Sequence, residues 1–336
     1  MSLGPIMVDL IGLTISAKER VILQQAMVGG VILFSRNYET PEQLMSLTTE
    51  IRAIRADLLI AIDHEGGRVQ RCRDGFTRLP AVATLGEIYQ QNPAHGIQQA
   101  ERTGWLMAVE LRAVGIDFSF APVLDIDYGM NEVIGDRAFG TDPSTVTVLA
   151  EAYIRGMNKA GMAAVGKHFP GHGAVSVDSH IGLPYDVRDY DTIVNADMRP
   201  FQQLCQQLTA IMPAHIVYER HDPLPACFSP FWLKTVLRER LGFSGAIISD
   251  DLSMAGAAIM GGSIDRTHAA LSAGCDMVLV CNQPDAVEEV VTALSFEISQ
   301  QQQQRLTALR GSAAISRAAL LADAHWQQTV SLVTQG

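Results

Sequence analysis

The 336-residue chain is 48% hydrophobic, carries a net charge of −11 and has a mean hydropathy of +0.13. This composition supports a sizeable packed core and excludes intrinsic disorder. The acidic balance, with no basic cluster, argues against a nucleic-acid partner, and no apolar run approaches the ~20 residues that cross a bilayer, so no membrane partner is expected.

Five cysteines, Cys72, Cys205, Cys227, Cys275 and Cys281, make an odd number without paired spacing. They fit a reducing cytoplasm better than a disulfide framework. The opening MSLGPIMVDLIG lacks a positive n-region and reaches Asp9 inside its apolar run, so no signal peptide is expected.

Apolar strand-like runs alternate with amphipathic stretches along the whole chain. The first strand is expected over 6–13, followed by a helix over 17–27 and a second strand over 30–34. Thr40-Pro41-Glu42-Gln43 reads as a capping box with proline at the first helical position. The third strand, 58–62, ends in Asp63-His64-Glu65-Gly66-Gly67-Arg68-Val69-Gln70-Arg71. A long helix is expected over 96–114, and a fourth strand over 118–124 ends in Asp125-Ile126-Asp127. Beyond an irregular stretch with Gly135-Asp136-Arg137, Asp142-Pro143 opens the next helix. The fifth strand runs through Ala163-Ala164-Val165, and a helix follows over 198–207. The sixth strand, 210–213, precedes His215, and Ser229-Pro230 opens a helix reaching Arg240. The seventh strand, 245–249, ends in Asp250-Asp251-Leu252-Ser253-Met254. A helix over 266–272, a strand over 276–281 and helices over 284–297 and 301–321 complete the chain.

Eight strand–helix alternations call for parallel pairing, since antiparallel neighbours need no crossover helix. At this length they favour a single (β/α)8 TIM barrel spanning residues 1–336 over an open doubly wound sheet. No linker or composition shift divides the chain. No GxGxxG follows the first strand and no GxxxxGK[ST] occurs, which argues against dinucleotide and P-loop readings. Barrel active sites gather at strand C-terminal ends. Polar groups gather there in this sequence: Asp63 and Glu65, Asp125 and Asp127, Lys167 and His168, His215, Asp250 and Asp251.

The densest stretch is GKHFPGHGAVSVDSHIGLP, residues 166–184. It places Lys167, His168, His172, Asp178 and His180 among glycines and prolines that exclude a regular helix. Titratable groups on a loop hung from a rigid strand suit an active site. Three chemistries use such a set. Metal-assisted hydrolysis usually places an HxH after the first strand, which is absent here, and His172 and His180 lie on a loop with no helix to fix ligand spacing. Glycoside hydrolysis needs an acid for the leaving oxygen, in its retaining form a carboxylate to capture the sugar, and donors that grip hydroxyls. A Schiff-base aldolase would need Lys167 at lowered pKa, which adjacent carboxylates oppose.

IDHEGGRVQR (62–71), KHFPGHG (167–173), the Asp178-Ser179-His180 triplet and SDDLSM (249–254) together resemble glycoside hydrolase family 3. Within it the chain is most similar to the bacterial β-N-acetylglucosaminidases of cell-wall recycling. The motifs run in register, and the length matches members without the second sandwich domain. The resemblance implies Asp250 as nucleophile, His180 as general acid/base and Asp178 as its orienting partner. It implies Asp63, Arg71, Arg137, Lys167 and His168 as holders of a terminal N-acetylglucosamine. Strand alternation lets only one of Asp250 and Asp251 face the pocket; periodicity leaves the choice open, and the family pattern selects Asp250. His172 reads as structural, Asp125 and Asp127 as structural or as supports behind the residues that touch the sugar, and His64 stands where many relatives carry glutamine.

The expectation is therefore a cytoplasmic, monomeric, retaining exo-β-N-acetylhexosaminidase without metal or cofactor. Its substrates would be small N-acetylglucosamine–anhydro-N-acetylmuramyl peptides from peptidoglycan, with the Gly173–Gly182 loop closing over them. A β-glucosidase or phosphorolytic enzyme of the same fold is the alternative, with a non-catalytic sugar-binding barrel as the rival from another class.

Overall fold

A computed structural model describes residues 3–130, 132–176, 182–312 and 315–334. Its main sheet contains β1 (Ile6–Asp9), β2 (Val28–Leu33), β3 (Leu59–Ile62), β4 (Phe118–Ser119), β5 (Val165–Phe169), β6 (Ala210–Pro213), β7 (Ala246–Asp251) and β8 (Met277–Val280). The spatial order is β4-β3-β2-β1-β8-β7-β6-β5, and every pairing in it is parallel. β1 pairs with β8 in the register Ile6 to Val278. The two end strands approach through a parallel bridge from Val123 to Lys167. There Leu124 N–H donates to Lys167 O at 2.7 Å and Val165 N–H to Ala121 O at 2.8 Å. The sheet thus returns on itself as the expected (β/α)8 barrel. β4 is shorter than the expected 118–124 because Pro122 has no N–H to give the ladder.

The strands are buried on both faces, as helix-covered parallel strands must be. Their near-continuous Val, Ile, Leu and Ala runs follow from that double burial. The covering helices begin where the sequence supplies caps. In α1 (Ala17–Leu23), Ser16 and Glu19 form a full capping box. In α2 (Pro41–Ile54), Thr40 Oγ1 accepts the Gln43 N–H at 3.1 Å, but Gln43 Oε1 accepts from Glu39 at 3.0 Å, one residue earlier than a capping box requires.

Helix α3 (Val82–Gln91) lies where no helix was expected. The long α4 (Pro93–Arg112) begins before the expected Gly96, because the Asn92 side chain accepts from His95 and Pro93 takes the first helical position. Asp142 caps α5 (Pro143–Lys159) as expected. The single helix expected over 301–321 is instead two, Gln300–Thr307 and Arg317–Leu321. The chain turns at Gly311, where a Cβ would fall 2.1 Å from the Arg112 guanidinium carbon. A further helix, Ala324–Thr334, packs on α4. Among the described residues, no helix is long and apolar enough to cross a membrane.

Two buried carboxylates seal the N-terminal end of the barrel. Asp117, just before β4, accepts the Ile60 N–H of β3 at 2.9 Å and pairs with Arg52 and Arg112. Asp276, just before β8, accepts the Ile247 N–H of β7 at 2.8 Å and pairs with Arg238 at 2.7 Å and Arg305 at 3.1 Å.

Candidate active site

A cavity of about 450 Å³ opens at the C-terminal end of the barrel. Its floor and walls come from strand ends and the loops that follow them. After β3 the chain makes a hairpin, His64–Gly66 against Val69–Gln70. Gly66 and Gly67 turn it with φ of +116° and +54°, a region that side chains rarely enter. The turn brings Arg71 back beside Asp63, with Nη2 3.5 Å from Oδ2.

Lys167 and His168 are adjacent in β5, yet both line the cavity. The register of β5 against β6 slips between Lys167 and Phe169, and such a bulge re-aims side chains. Lys167 Nζ contacts Asp63 Oδ1 at 3.0 Å and Glu65 Oε1 at 2.6 Å. Arg137 meets Glu65 in a two-pronged pair, Nε to Oε2 and Nη2 to Oε1, both at 2.8 Å. Arg68 holds the loop bearing Arg137 through Asp136 at 2.7 Å and the Val133 carbonyl at 2.8 Å.

This charge arrangement sets protonation. Burial alone would raise the Glu65 carboxyl, but Arg137 and Lys167 outweigh it and hold the group well below the ordinary carboxylate range. Burial alone would lower Lys167, but Asp63 and Glu65 outweigh it and keep the lysine charged. A Schiff-base role, which needs a neutral amine, is thereby disfavoured.

Asp250 and Asp251 end β7, and both line the cavity. Strict alternation would turn one of them away, but the register of β7 against β8 slips between Ile248 and Asp251. Their environments differ instead. Asp251 accepts from Ser253 N at 2.9 Å, Ser253 Oγ at 2.7 Å, Asn282 Nδ2 at 2.9 Å and Cys281 N at 3.3 Å. Among the described residues, the Asp250 carboxylate takes only the Asp251 N–H, at 2.8 Å. Burial pushes the Asp250 carboxyl up, but His168, His215, that N–H and Lys167 bring it below its ordinary value.

The buried Asp125 organises two histidines. Its Oδ2 lies 2.6 Å from His168 Nδ1, and its Oδ1 accepts the backbone N–H of His168 at 3.2 Å and of His172 at 2.7 Å. An ionised carboxylate can only accept, so it selects the tautomer with the proton on His168 Nδ1. The His172 ring stands 5.7 Å from the His168 ring, and burial brings its pKa down to about 4. His215 packs behind β7, stacked on Phe228 at 5.5 Å with Nε2 3.1 Å from the Asp251 carbonyl.

The structure therefore gathers Asp63, Arg71, Arg137, Lys167, His168 and Asp250 around one cavity. Asp127 binds the N–H of Gly129 at 2.8 Å and does not line it. Asp178 and His180 lie outside the described residues, as does the middle of the loop expected to close. Two organisers, Glu65 and Asp125, stand out in the sequence as strand-end carboxylates but not as site residues. Their only signal was position at a strand end, and their partners lie far along the chain. Among the described residues, no group of three or more His, Cys, Asp or Glu side chains could hold a metal ion.

The Glycosyl hydrolase family 3 N terminal domain matches residues 6–309. A β-hexosaminidase of Methylococcus capsulatus is 54% identical over 329 residues, covering 97% of this chain and 98% of that protein. A β-hexosaminidase of Thioalkalivibrio sulfidiphilus is 54% identical over 335 residues, covering 99% of this chain and 96% of its own. The crystal structure of NagZ from Neisseria gonorrhoeae in complex with N-trifluoroacetyl-D-glucosamine superposes with a TM-score of 0.94 at 43% identity, over 99% of this chain and 97% of that one.

Proposed function

The chain belongs to glycosyl hydrolase family 3 and is a hydrolase of the β-hexosaminidase type, and from that premise we propose that it is a retaining exo-β-N-acetylglucosaminidase working as one barrel domain. The observation that carries this reading is the contrast at the end of β7. Asp251 is tied by its neighbours, while Asp250 presents an ionised carboxylate to the cavity beside Lys167 and His168.

In the proposed reaction Asp250 attacks the anomeric carbon as His180 protonates the departing glycosidic oxygen. The bond to the leaving sugar breaks and a covalent glycosyl–Asp250 ester forms. His180 then removes a proton from water, which displaces Asp250 and releases the sugar with its original configuration. A histidine suits both steps because its ordinary pKa lies near neutrality. Asp178 is proposed to hold its tautomer.

The terminal N-acetylglucosamine is proposed to be held by Asp63, Arg71, Arg137, Lys167 and His168. Lys167 has a donor left after Asp63 and Glu65. Among the described residues, Asp63 Oδ2 is held only at 3.5 Å by Arg71, so it is open to accept from a sugar hydroxyl. The scheme uses no metal or cofactor. A cavity of about 450 Å³ at the C-terminal end of the barrel suits removal of a single terminal sugar. We propose N-acetylglucosamine–anhydro-N-acetylmuramyl peptides as substrates, peptidoglycan recycling in the cytoplasm as the setting, and a monomer as the working form.

The test compares an aryl β-N-acetylglucosaminide with the matching aryl β-glucoside, for wild type and Asp250→Ala, with chelator present. Fast release from the N-acetyl substrate alone, lost in the variant and indifferent to chelator, is expected. Equal release from both would make the enzyme a general β-glucosidase, and activity lost to chelator would overturn the scheme.

A further inference from the structure

We propose that the C-terminal segment, through Trp326 and Arg317, is a positioning element for the cavity edge that carries Asp63 and Arg71. The inference rests on the reading of Arg71 as a sugar-binding residue. The family match ends at residue 309, so both residues lie beyond it. They nevertheless converge on one loop, 72–79, which follows Arg71 directly.

Trp326 Nε1 donates to Glu110 Oε1 at 2.9 Å. Glu110 is buried on α4, and its carboxylate accepts from Thr77 Oγ1 at 2.5 Å and Thr77 N at 3.0 Å. The Arg317 guanidinium donates to the Gly75 carbonyl at 2.5 Å and lies 5.3 Å from the centre of the Phe76 ring. Phe76 packs in turn 6.1 Å from the buried His64 ring, between Asp63 and Glu65 in sequence. On the inner side, Gln70 closes the same loop by donating to the Cys72 and Thr77 carbonyls at 3.0 and 2.8 Å and accepting from Leu79 at 3.0 Å. The loop is therefore gripped from within by Gln70 and from outside by the C-terminal segment, with Arg71 between the two grips.

Arg71 itself has little to hold it. Its contact to Asp63 is 3.5 Å, its Nε is buried without a partner among the described residues, and the Phe34 ring lies 5.8 Å away. A side chain so loosely bound takes its direction from the backbone that carries it. Trp326 and Arg317 fix that backbone without touching the cavity, so they act on binding and not on the bond-breaking steps.

The experiment is a double-mutant cycle on the full chain, pairing Trp326→Phe with Arg71→Lys, with Arg317→Met as the second grip. KM for the aryl β-N-acetylglucosaminide and competitive inhibition by N-acetylglucosamine are the readouts, alongside melting temperature. Trp326→Phe keeps an aromatic side chain, though a smaller one, and loses the indole N–H donor. It is expected to raise KM roughly threefold to tenfold with kcat within about twofold, and Arg317→Met to act in the same direction. In Arg71→Lys the further effect of Trp326→Phe is expected to shrink, because the group being positioned is gone. If both C-terminal variants lower the melting temperature yet leave KM and inhibition at wild-type values, the segment is scaffold alone and the proposal falls. If Arg71→Lys by itself leaves KM unchanged, the sugar-binding reading of Arg71 falls first and takes the proposal with it.

Discussion

The two ends of the barrel use the same chemistry to opposite effect. At the N-terminal end, Asp117 and Asp276 are buried carboxylates, each held by two arginines and by the backbone N–H of the neighbouring strand. At the C-terminal end, Asp63, Glu65 and Asp250 face Arg71, Arg137, Lys167 and His168, and the pairing is left incomplete. Asp250 keeps one carboxylate oxygen without a partner among the described residues, and Arg71 keeps a buried Nε without one. Closed ion clusters hold strands together; open ones reserve their capacity for a ligand. The difference lies not in residue type but in how many donors each oxygen has already met.

The sharpest way to break this contrast is to neutralise one carboxylate at each end. Asp250→Asn is expected to lower kcat by about 10⁴-fold or more with little change in melting temperature, read with an aryl β-N-acetylglucosaminide. Asp276→Ala should do the reverse. Leaving the half-buried Arg238 and Arg305 without the buried carboxylate they share costs about 3 kcal/mol, measured as a lower urea midpoint, while turnover per folded molecule stays near wild type. A loss of turnover without loss of stability in Asp276→Ala would erase the distinction.

Within the open cluster, Glu65→Gln tests an organiser that only the fold brings together. It removes the charge that Arg137 and Lys167 share, and KM is expected to rise about 10-fold to 100-fold with a smaller change in kcat. The smallest effect concerns pH. Burial, with Arg71 nearby, brings the folded pKa of His64 down to about 3, against an ordinary value near 6.5. Between these values the unfolded chain carries the extra proton, so stability falls as pH drops below 6.5. One such group contributes at most about 1.4 kcal/mol per pH unit. Urea midpoints at pH 6.5, 5.8 and 5.0 should decline less steeply for His64→Gln than for wild type. Equal slopes would mean that His64 does not titrate differently on unfolding.

The architecture was legible because parallel strands buried on both faces read as apolar runs, each ending where charge resumes. The candidate site was legible for the same reason at Asp63, Lys167, His168 and Asp250. What the sequence hid was set by distance or by local register. Glu65 meets Arg137 across 72 positions, and Asp125 meets His168 across 43; neither partner is marked in the other's neighbourhood. The orientation of Asp250 and Asp251 escaped strict alternation because the ladder slips at that point. Helix α4 was placed late although Asn92-Pro93 carries the same signal as Thr40-Pro41 and Asp142-Pro143. The split near Gly311 depends on Arg112 passing close by, a contact that no local pattern announces.

The pairing of Ile6 with Val278 has a consequence for how this molecule comes into being. β1 is among the first strands made, but one of its two edges waits for β8. At roughly 5–20 residues per second, the intervening stretch takes on the order of 14–54 s to emerge from a ribosome. Until then the margin of β1 that β8 fills has no partner, and Asp63 has no Lys167 to meet until β5 is made. Catalytic competence is therefore a property of the finished ring: it arrives with the last strand.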